Sequence, residues 1–334
     1  MNDNSIKRFL LAFLATSMLI LSACNNTLDA PSSSSSITSI SINSNIFSGS
    51  VDLFEDALGR KLAIPYQPKN VVALQGSFAE LWELAGGKLI GITSDALEEN
   101  RIKQIAETVL LGTNHEPNLE LLLSINPDFI ILSADLSSHL ELEDTLNQAE
   151  IPHIYLKVDS FSDYLNYLNM FCLATGRPDL YEEHGQSIAA EIDNIKNLVY
   201  GVENKPRVLL LRAMSSAVKA RGVDIMAGEM IAELAAVNII DDYPSLLEDL
   251  SLEIILMEDP EYILALTMGD TTKALAMLDQ QVWLNPAWTG LSAMKENRYH
   301  ILPRELFHFK PNARWAEAYH YLAEILYPNL FSDD

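Results

Sequence analysis

The sequence predicts an α/β protein of two lobes with mainly parallel sheets, joined by a single long helix. Short apolar stretches alternate with helical patterns at intervals of about 15 to 25 residues, which is typical of a parallel sheet covered on both faces. One uninterrupted helical pattern, residues 179–200, separates two such alternating blocks. The length of 334 residues also suggests two domains rather than one.

The first block predicts strands and helices in regular succession. Apolar residues cluster between turn residues at the predicted strands, which are 61–64, 71–74, 89–93, 109–111, 129–132 and 153–158. The predicted helices are 77–85, 98–106, 119–125 and 140–149. Ser77 and Glu80 have the spacing of a capping box, which predicts that Ser77 caps the first of these helices.

The pattern between the blocks predicts a helix roughly 30 Å long at 1.5 Å per residue. Leu180, Ile192, Val199 and other apolar residues recur there at three- and four-residue steps, so they share one face. Gly176 and Pro178 end any helix before it. The second block then predicts strands at 207–211, 262–267 and 299–302, and helices at 226–237, 273–278 and 312–326.

One part of each block is nearly the same in sequence. Asn118-Leu119-Glu120 precedes Asn126-Pro127-Asp128-Phe129-Ile130, and Ser251-Leu252-Glu253 precedes Asp259-Pro260-Glu261-Tyr262-Ile263. In both copies a polar cap, a helix, a proline turn and a buried strand follow in the same order, which indicates an internal duplication. Chance similarity of common cap and turn residues is the alternative.

The first residues carry the signals of export. Lys7 and Arg8 precede an apolar run, residues 9–21, that is short for a membrane span. The run ends in Leu21-Ser22-Ala23-Cys24, which resembles the bacterial lipobox, in which the cysteine is lipidated. We therefore expect a signal peptide at residues 1–23 and a lipid-anchored, Ser/Asn-rich linker at residues 24–50. An ordinary signal peptide with an incidental cysteine is the alternative.

Composition and charge limit the function classes. The chain has 22 Lys and Arg against 46 Asp and Glu, a formal net charge of -24, so we expect no nucleic acid partner and no general affinity for an anionic membrane surface. Its two cysteines give no disulfide framework. The predicted domains are an N-terminal lobe at 51–160, a helical linker at 161–204 and a C-terminal lobe at 205–334.

Ligands of open α/β sheets lie beyond the carboxyl ends of the strands. The loops after the predicted strands therefore supply the candidate ligand-binding residues Ser77, Phe78, Asn114, His115, Arg212, Met214, Met268, Arg304, Phe307 and His308. The alternative for either histidine is an ordinary solvated loop residue. No pattern such as His-x-His occurs, so a bare zinc or manganese site, which needs three or four clustered ligands, has little support.

Basic residues are concentrated in two stretches of this acidic chain. Residues 205–221 hold five and no acidic residue, and residues 295–314 hold five with two acidic residues. If the two stretches meet at one rim of the cleft, they form a positive mouth suited to an anionic chelate or to propionate groups. We expect Arg212, Arg221 and Arg304 there; the alternative is that such side chains point away into solvent.

These features together resemble the substrate-binding proteins of class III ABC importers, which carry ferric siderophores, haem or cobalamin. The resemblance covers about residues 51–330. It rests on the lipobox and linker, on Asp56-Ala57-Leu58-Gly59-Arg60 before Ile64-Pro65, on Val71-Val72-Ala73-Leu74 before Ser77-Phe78-Ala79-Glu80-Leu81, and on the two proline-turn repeats. It implies two lobes that hold ligand in the cleft between them.

The resemblance also implies docking on a membrane permease through one glutamate on each lobe, and these match Glu120 and Glu253. Two exposed carboxylates at helix starts can meet permease arginines through charge-assisted hydrogen bonds. A simpler role, which is compatible with docking, is that each carboxylate complements the dipole of its own helix.

The function implied by the resemblance is that of an extracytoplasmic, monomeric lipoprotein that captures an iron complex, foremost a ferric siderophore, for an ABC permease. Haem or cobalamin binding by the same fold, or a bare metal-ion carrier, are the alternatives. We expect no enzyme, because the chain has no nucleophile elbow, no P-loop and no dinucleotide fingerprint. We also expect no intrinsic cofactor and no catalytic residue, and we assign no metal-binding residue; the ligand itself would be an iron chelate or haem, whose metal is held either by the chelate alone or by a protein side chain as well.

Overall fold

The computed structural model describes residues 50–102 and 107–331. All of these residues belong to one compact unit. The predicted signal peptide, the lipidation site at Cys24 and the linker up to residue 49 lie outside the described residues. Within the described ranges, the helices are too short or too polar to cross a membrane.

The N-terminal lobe is a parallel sheet with helices between its strands. Its elements are β1 (Ser50–Glu55), β2 (Lys61–Pro65), β3 (Val71–Ala73), α1 (Gly76–Leu84), β4 (Gly91–Ile92), α2 (Asp95–Glu98), β5 (Val109–Leu110), α3 (Leu119–Ser124), β6 (Phe129–Ser133), α4 (Ser137–Leu140), α5 (Glu143–Gln148) and β7 (His153–Leu156). The sheet order is β5-β4-β3-β6-β7, all parallel, and β1 and β2 form a separate antiparallel hairpin. All residues of β3 and β6 are buried, as expected for strands covered on both faces.

The turn between β1 and β2 attaches the hairpin to this sheet. The buried carboxylate of Asp56 accepts hydrogen bonds from the backbone N–H groups of Leu58 and Arg60, each at 3.0 Å, and from Arg60 Nη2 at 2.7 Å. The Arg60 guanidinium lies over the ring of Tyr155 in β7, 4.7 Å from its centroid. The Asp56–Arg60 motif therefore has a structural role here.

A helical linker follows the first sheet. It contains α6 (Phe161–Thr175), α7 (Pro178–Tyr181), a π-helical turn (Glu182–Gln186) and α8 (Ser187–Tyr200). The helix predicted at residues 179–200 is thus confirmed, with one wider turn inside it. Ser160 and Asp163 form a capping box at the start of α6, and Gly176, with φ 74°, ends it in the left-handed conformation.

The C-terminal lobe repeats the alternation of strand and helix. Its elements are β8 (Arg207–Ala213), β9 (Val218–Ala220), α9 (Met226–Glu233), β10 (Val237–Asn238), α10 (Leu252–Glu258), β11 (Tyr262–Thr267), α11 (Thr271–Leu278), α12 (Ser292–Lys295), β12 (Tyr299–Ile301), α13 (Arg304–Phe307), α14 (Trp315–Leu326) and α15 (Pro328–Phe331). Strands β10-β8-β11-β12 are parallel in that order, and β9 pairs antiparallel with β8.

One hydrophobic core extends through both lobes. It includes residues of the first sheet, such as Phe129, residues of the linker, such as Ile192, and residues of the second sheet, such as Leu264. The buried ring of Trp315 on α14 packs against Phe161 of α6, with ring centroids 5.5 Å apart. The linker and α14 therefore connect the lobes through buried apolar contacts as well as through the chain.

The capping box predicted at Ser77 is wrong. Helix α1 begins at Gly76, its N-cap residue Gln75 makes no side-chain capping bond, and the hydroxyl of Ser77 is buried without a partner. The carboxylate of Asp95 takes this place, accepting a hydrogen bond from the Gly76 N–H at 2.6 Å. A side chain distant in sequence thus replaced the local cap.

Three predicted helices are shorter than their apolar patterns. The helix predicted at 140–149 is divided into α4 and α5. The one predicted at 98–106 is α2, which begins earlier and stops at Glu98; residues 103–106 lie outside the described ranges. The one predicted at 226–237 ends at Glu233, because Ala235 has φ 58° and Val237 joins the sheet as β10.

The two proline-turn repeats occupy equivalent positions in the two sheets. Asn118 caps α3 by accepting a hydrogen bond from Leu121 N–H, and Ser251 caps α10 by accepting one from Ile254 N–H. The residue before each proline, Asn126 or Asp259, has a positive φ, 50° and 41°. Each repeat leads into an inner strand, β6 or β11, so the duplication holds in structure as in sequence.

Candidate ligand-binding cleft

A cavity of about 360 Å³ is lined by residues at the carboxyl ends of strands from both sheets. Asp135 follows β6, and Lys157 and Asp159 follow β7, while Arg212 and Leu266 lie near the ends of β8 and β11. The C-terminal lobe also contributes Arg221, Asp224, Ile225, Met226, Phe307, His308 and Lys310. This is the position in which open α/β sheets bind ligands.

Two guanidinium groups of the C-terminal lobe face this cavity. Arg212 is half-buried and, among the described residues, forms no hydrogen bond or ion pair through its side chain. Burial and the neighbouring Arg221 lower the pKa of Arg212, although an arginine stays charged. Arg221 reaches Asp224 only at 4.0 Å, and its Nε is buried without a partner. The pair is a strong candidate for binding an anion, because a buried charge needs a partner.

His308 and Lys310 bring further nitrogen atoms to the cavity. Burial, with Arg304, Arg212 and Lys310 nearby, lowers the pKa of His308 to about 4. Its imidazole is therefore neutral near pH 7, so one ring nitrogen can accept a hydrogen bond or bind a metal. Burial likewise lowers the pKa of Lys310, whose Nζ lies 3.6 Å from Asp159 Oδ1.

The N-terminal lobe supplies acids together with one cation. Lys157 Nζ lies 2.7 Å from Asp159 Oδ2, and Asp135 lines the same cavity. Sequence reasoning did not nominate these residues or Lys310 as ligand-binding. A sequence signal for both Lys157 and Asp159 is present, because Asp159 directly follows the predicted strand 153–158 and Lys157 lies near its carboxyl end.

The cavity includes Arg212, Arg221, Phe307 and His308 of the predicted binding residues. The others lie outside its lining. Ser77 and Phe78 are buried in α1, Asn114 and Met214 are half-buried, and His115 and Met268 are exposed. Arg304 donates hydrogen bonds to the carbonyl oxygen of Gly269 at 2.8 Å and to the hydroxyl of Thr271. Ligand contact by any of these residues stays a prediction.

Glu120 and Glu253 occupy matching surface positions. Each lies in the first turn of its helix, α3 or α10, and each is exposed. The side chains are therefore accessible to a partner.

Within the described ranges, no cluster of three or more His, Cys, Asp or Glu residues is arranged to hold a metal ion.

A model of the periplasmic binding protein family matches residues 71–306, more than half of the chain. The chain belongs to this family. Its members bind substrates for transport, so the family is one of binding proteins rather than of enzymes. The Fe(3+)-citrate-binding protein YfmC of Bacillus subtilis is 25% identical over 262 residues, which cover 73% of this chain and 76% of YfmC.

Solved structures of periplasmic binding proteins share the fold. Staphylococcus aureus SirA complexed with staphyloferrin B matches with a TM-score of 0.62 and 18% identity, over 84% of this chain and 98% of SirA. S. aureus IsdE complexed with heme matches with a TM-score of 0.60 and 16% identity, over 77% of this chain and 98% of IsdE. The predicted two-lobed α/β fold and the family resemblance are confirmed.

Proposed function

We propose that this periplasmic binding protein captures an anionic ferric chelate of the carboxylate class in the cleft and delivers it to an ABC permease. The observation that carries the proposal is the pair Arg212 and Arg221, two cations that face the cavity; among the described residues Arg212 has no acidic partner and Arg221 has one, Asp224 at 4.0 Å. Guanidinium groups bind carboxylates with two parallel hydrogen bonds, which favours ligands that present such groups.

The character of the cavity supports a compact, charged ligand. Its volume of about 360 Å³ is at the lower end of the range for small-molecule sites, roughly 300–1,000 Å³. Seven of its twelve lining residues are charged, Asp135, Lys157, Asp159, Arg212, Arg221, Asp224 and Lys310. A porphyrin needs broad apolar walls, so this lining favours a carboxylate chelate. The similarity to YfmC, whose name specifies Fe(3+)-citrate, agrees with this choice.

Haem is the second candidate because of one residue. His308 lines the cavity, and its lowered pKa, about 4, keeps the imidazole neutral and able to bind iron. Cobalamin and a bare metal ion have no comparable support among the described residues.

The remaining roles are part of the same proposal. The proposal includes permease docking through Glu120 and Glu253, a lipid anchor at Cys24, a monomeric state, and lobe boundaries near residues 160 and 204. The exposed position of each glutamate at a helix start supports the docking role.

The test is calorimetric titration of the full chain, purified in detergent, with ferric citrate in excess citrate, iron-free citrate, hemin and cobalamin. We expect saturable binding of ferric citrate and much weaker binding of iron-free citrate. Binding of hemin alone, with a new visible absorption band, would favour the haem alternative and make His308 the ligand to replace. Absence of binding across ferric citrate and hemin would refute the proposal.

A further inference from the structure

Residues 308–314, here called the crossing segment, lead the chain from α13 of the C-terminal lobe to α14. The segment brings His308 and Lys310 to the cavity, yet it is bonded to the N-terminal lobe. Arg101 Nη1 donates a hydrogen bond to the carbonyl oxygen of Lys310 at 2.7 Å. Asn312 Nδ2 donates one to the carbonyl oxygen of Ser77 in α1 at 2.8 Å.

Glu80 joins these two contacts. Its Oε2 accepts hydrogen bonds from Arg101 Nη1 and from Asn312 Nδ2, each at 2.7 Å. The side chain of Arg101 is 8% exposed and Asn312 is 1% exposed, so water competes little for these bonds. Hydrogen bonds to charged groups in a dry setting are among the stronger ones. We call Glu80, Arg101 and Asn312 the interlobe clamp.

The crossing segment has an unusual backbone conformation and one further contact with each lobe. Asn312 has φ 51°, a left-handed conformation that asparagine tolerates better than most residues. The ring of Phe309 lies 5.8 Å from the guanidinium carbon of Arg101 and 5.2 Å from that of Arg304, so one arginine of each lobe contacts it. The segment is therefore held by backbone, polar and aromatic contacts at once.

We propose that Arg101 and Asn312 are positioning residues: the interlobe clamp sets the separation of the two lobes and fixes Lys310 and His308 against the cavity. The inference rests on the proposed function, because the cavity must be the ligand site for this placement to affect binding. The physical reason is preorganisation, since a lysine whose backbone is already fixed loses less freedom when an anion binds.

Two substitutions separate positioning from folding. Asn312→Gly removes both side-chain donors while suiting the positive φ, so the backbone strain does not increase. Glu80→Gln keeps an amide oxygen as acceptor and removes only the charge, which makes it the milder variant. Arg177→Ala is the matched control, because it breaks an exposed arginine–aspartate pair, with Asp179, that lies within the linker.

The first readout is the distance between the lobes without ligand. Dyes attached through genetically encoded azide side chains at the exposed positions 137 and 272, which follow β6 and β11, report it by energy transfer in the full chain. We expect a broader distance distribution in Asn312→Gly, an intermediate one in Glu80→Gln and no change in the control. An unchanged distribution in folded Asn312→Gly would overturn the proposal.

The second readout is the Kd for ferric citrate, which we expect Asn312→Gly to weaken about tenfold. A broader distribution with an unchanged Kd would overturn the assignment of the clamp as a positioning device for the site. If the wild-type chain binds no ferric citrate, the proposed function fails, while the distance measurement still decides whether the clamp sets the lobe separation. A merely structural role would lower the unfolding temperature without changing either readout.

Discussion

The two lobes share one plan but differ in the charge that they bring to the cleft. Each sheet places an inner parallel strand, β6 or β11, after a capped helix that carries an exposed glutamate. At the cleft the N-terminal lobe presents Asp135, Lys157 and Asp159, whereas the C-terminal lobe presents three cations, Arg212, Arg221 and Lys310, against one acid, Asp224.

The difference shows that two lobes with the same arrangement of strands and helices can place different charged side chains at the cleft. Lys157 lies 2.7 Å from Asp159, so the cation of the N-terminal lobe is neutralised within its own lobe. Arg212 has no such acidic partner among the described residues. We therefore expect an anionic ligand to depend first on the C-terminal lobe, and permease docking to depend on both.

The largest effect should come from the exposed glutamate that each lobe carries at the start of a helix. With Glu120 and Glu253 both changed to Ala, we expect iron uptake in cells to fall to background, because the permease loses one charge-assisted contact on each lobe. Ligand affinity should be unchanged, since neither side chain lines the cavity. The matched control changes two other exposed glutamates, Glu98 and Glu203, to Ala. Loss of ligand affinity in the first pair would contradict the docking role.

The second-largest effect should show that the two lobes contribute unequally to ligand affinity. Arg212→Ala is expected to weaken ferric citrate binding about a hundredfold, since removing one partner of a buried charged contact costs roughly 2–5 kcal/mol. Lys157→Ala, the corresponding change in the N-terminal lobe, should cost only a few-fold, because its exposed side chain already pairs with Asp159. Titration of the two folded variants with ferric citrate measures the ratio of their Kd values. Equal losses would contradict the asymmetry between the lobes.

Most of the fold followed from local patterns, whereas the site depended on distant contacts. The linker helix and the repeats have strong periodicity or turn signals, which act within a few residues. The sequence predicts Arg212 and Arg221, because strand ends and clusters of basic residues are visible in it. The clamp could not be predicted, because Arg101 and Asn312 are brought together only by folding. The capping box at Ser77 failed for the same reason, since Asp95 replaced it.

Two histidines, one in each lobe, have a lowered pKa, which makes the stability of the folded chain depend on pH. His139 of the N-terminal lobe is fully buried, and its Nδ1 accepts a hydrogen bond from Ser133 N–H at 2.9 Å. Burial lowers the pKa of His139 to about 4, and burial with nearby cations lowers the pKa of His308 to about 4 as well. Since the unfolded chain takes up the proton near pH 6.5 and the folded chain only near pH 4, stability is lost as pH falls through this window.

We expect His139→Gln, which keeps an acceptor for Ser133, to reduce this acid-induced loss by about 2 kcal/mol between pH 7.5 and 4.5. Urea unfolding at the two pH values measures it, with His320→Gln, an exposed histidine, as the control. An identical pH dependence in His139→Gln and the wild type would show that His139 does not titrate as inferred.

The smallest effect on ligand affinity should come from Asp159 and Asp224, the aspartates that lie next to the lysines and Arg221 of the cleft. Asp159→Asn removes the carboxylate next to Lys157 and Lys310, so the cavity becomes more positive and ferric citrate should bind a few-fold more tightly at low salt. The gain is small because Asp159 is 55% exposed and its charge is screened. The backbone of Lys310 stays bonded to Arg101, so the freed ammonium group can turn toward the ligand. Asp224→Asn, in the C-terminal lobe, should give a smaller gain in affinity, because the Asp224 carboxylate lies 4.0 Å from Arg221 and so interacts with it only weakly. Weaker binding by Asp159→Asn would instead mean that this acid holds Lys310 in its binding position.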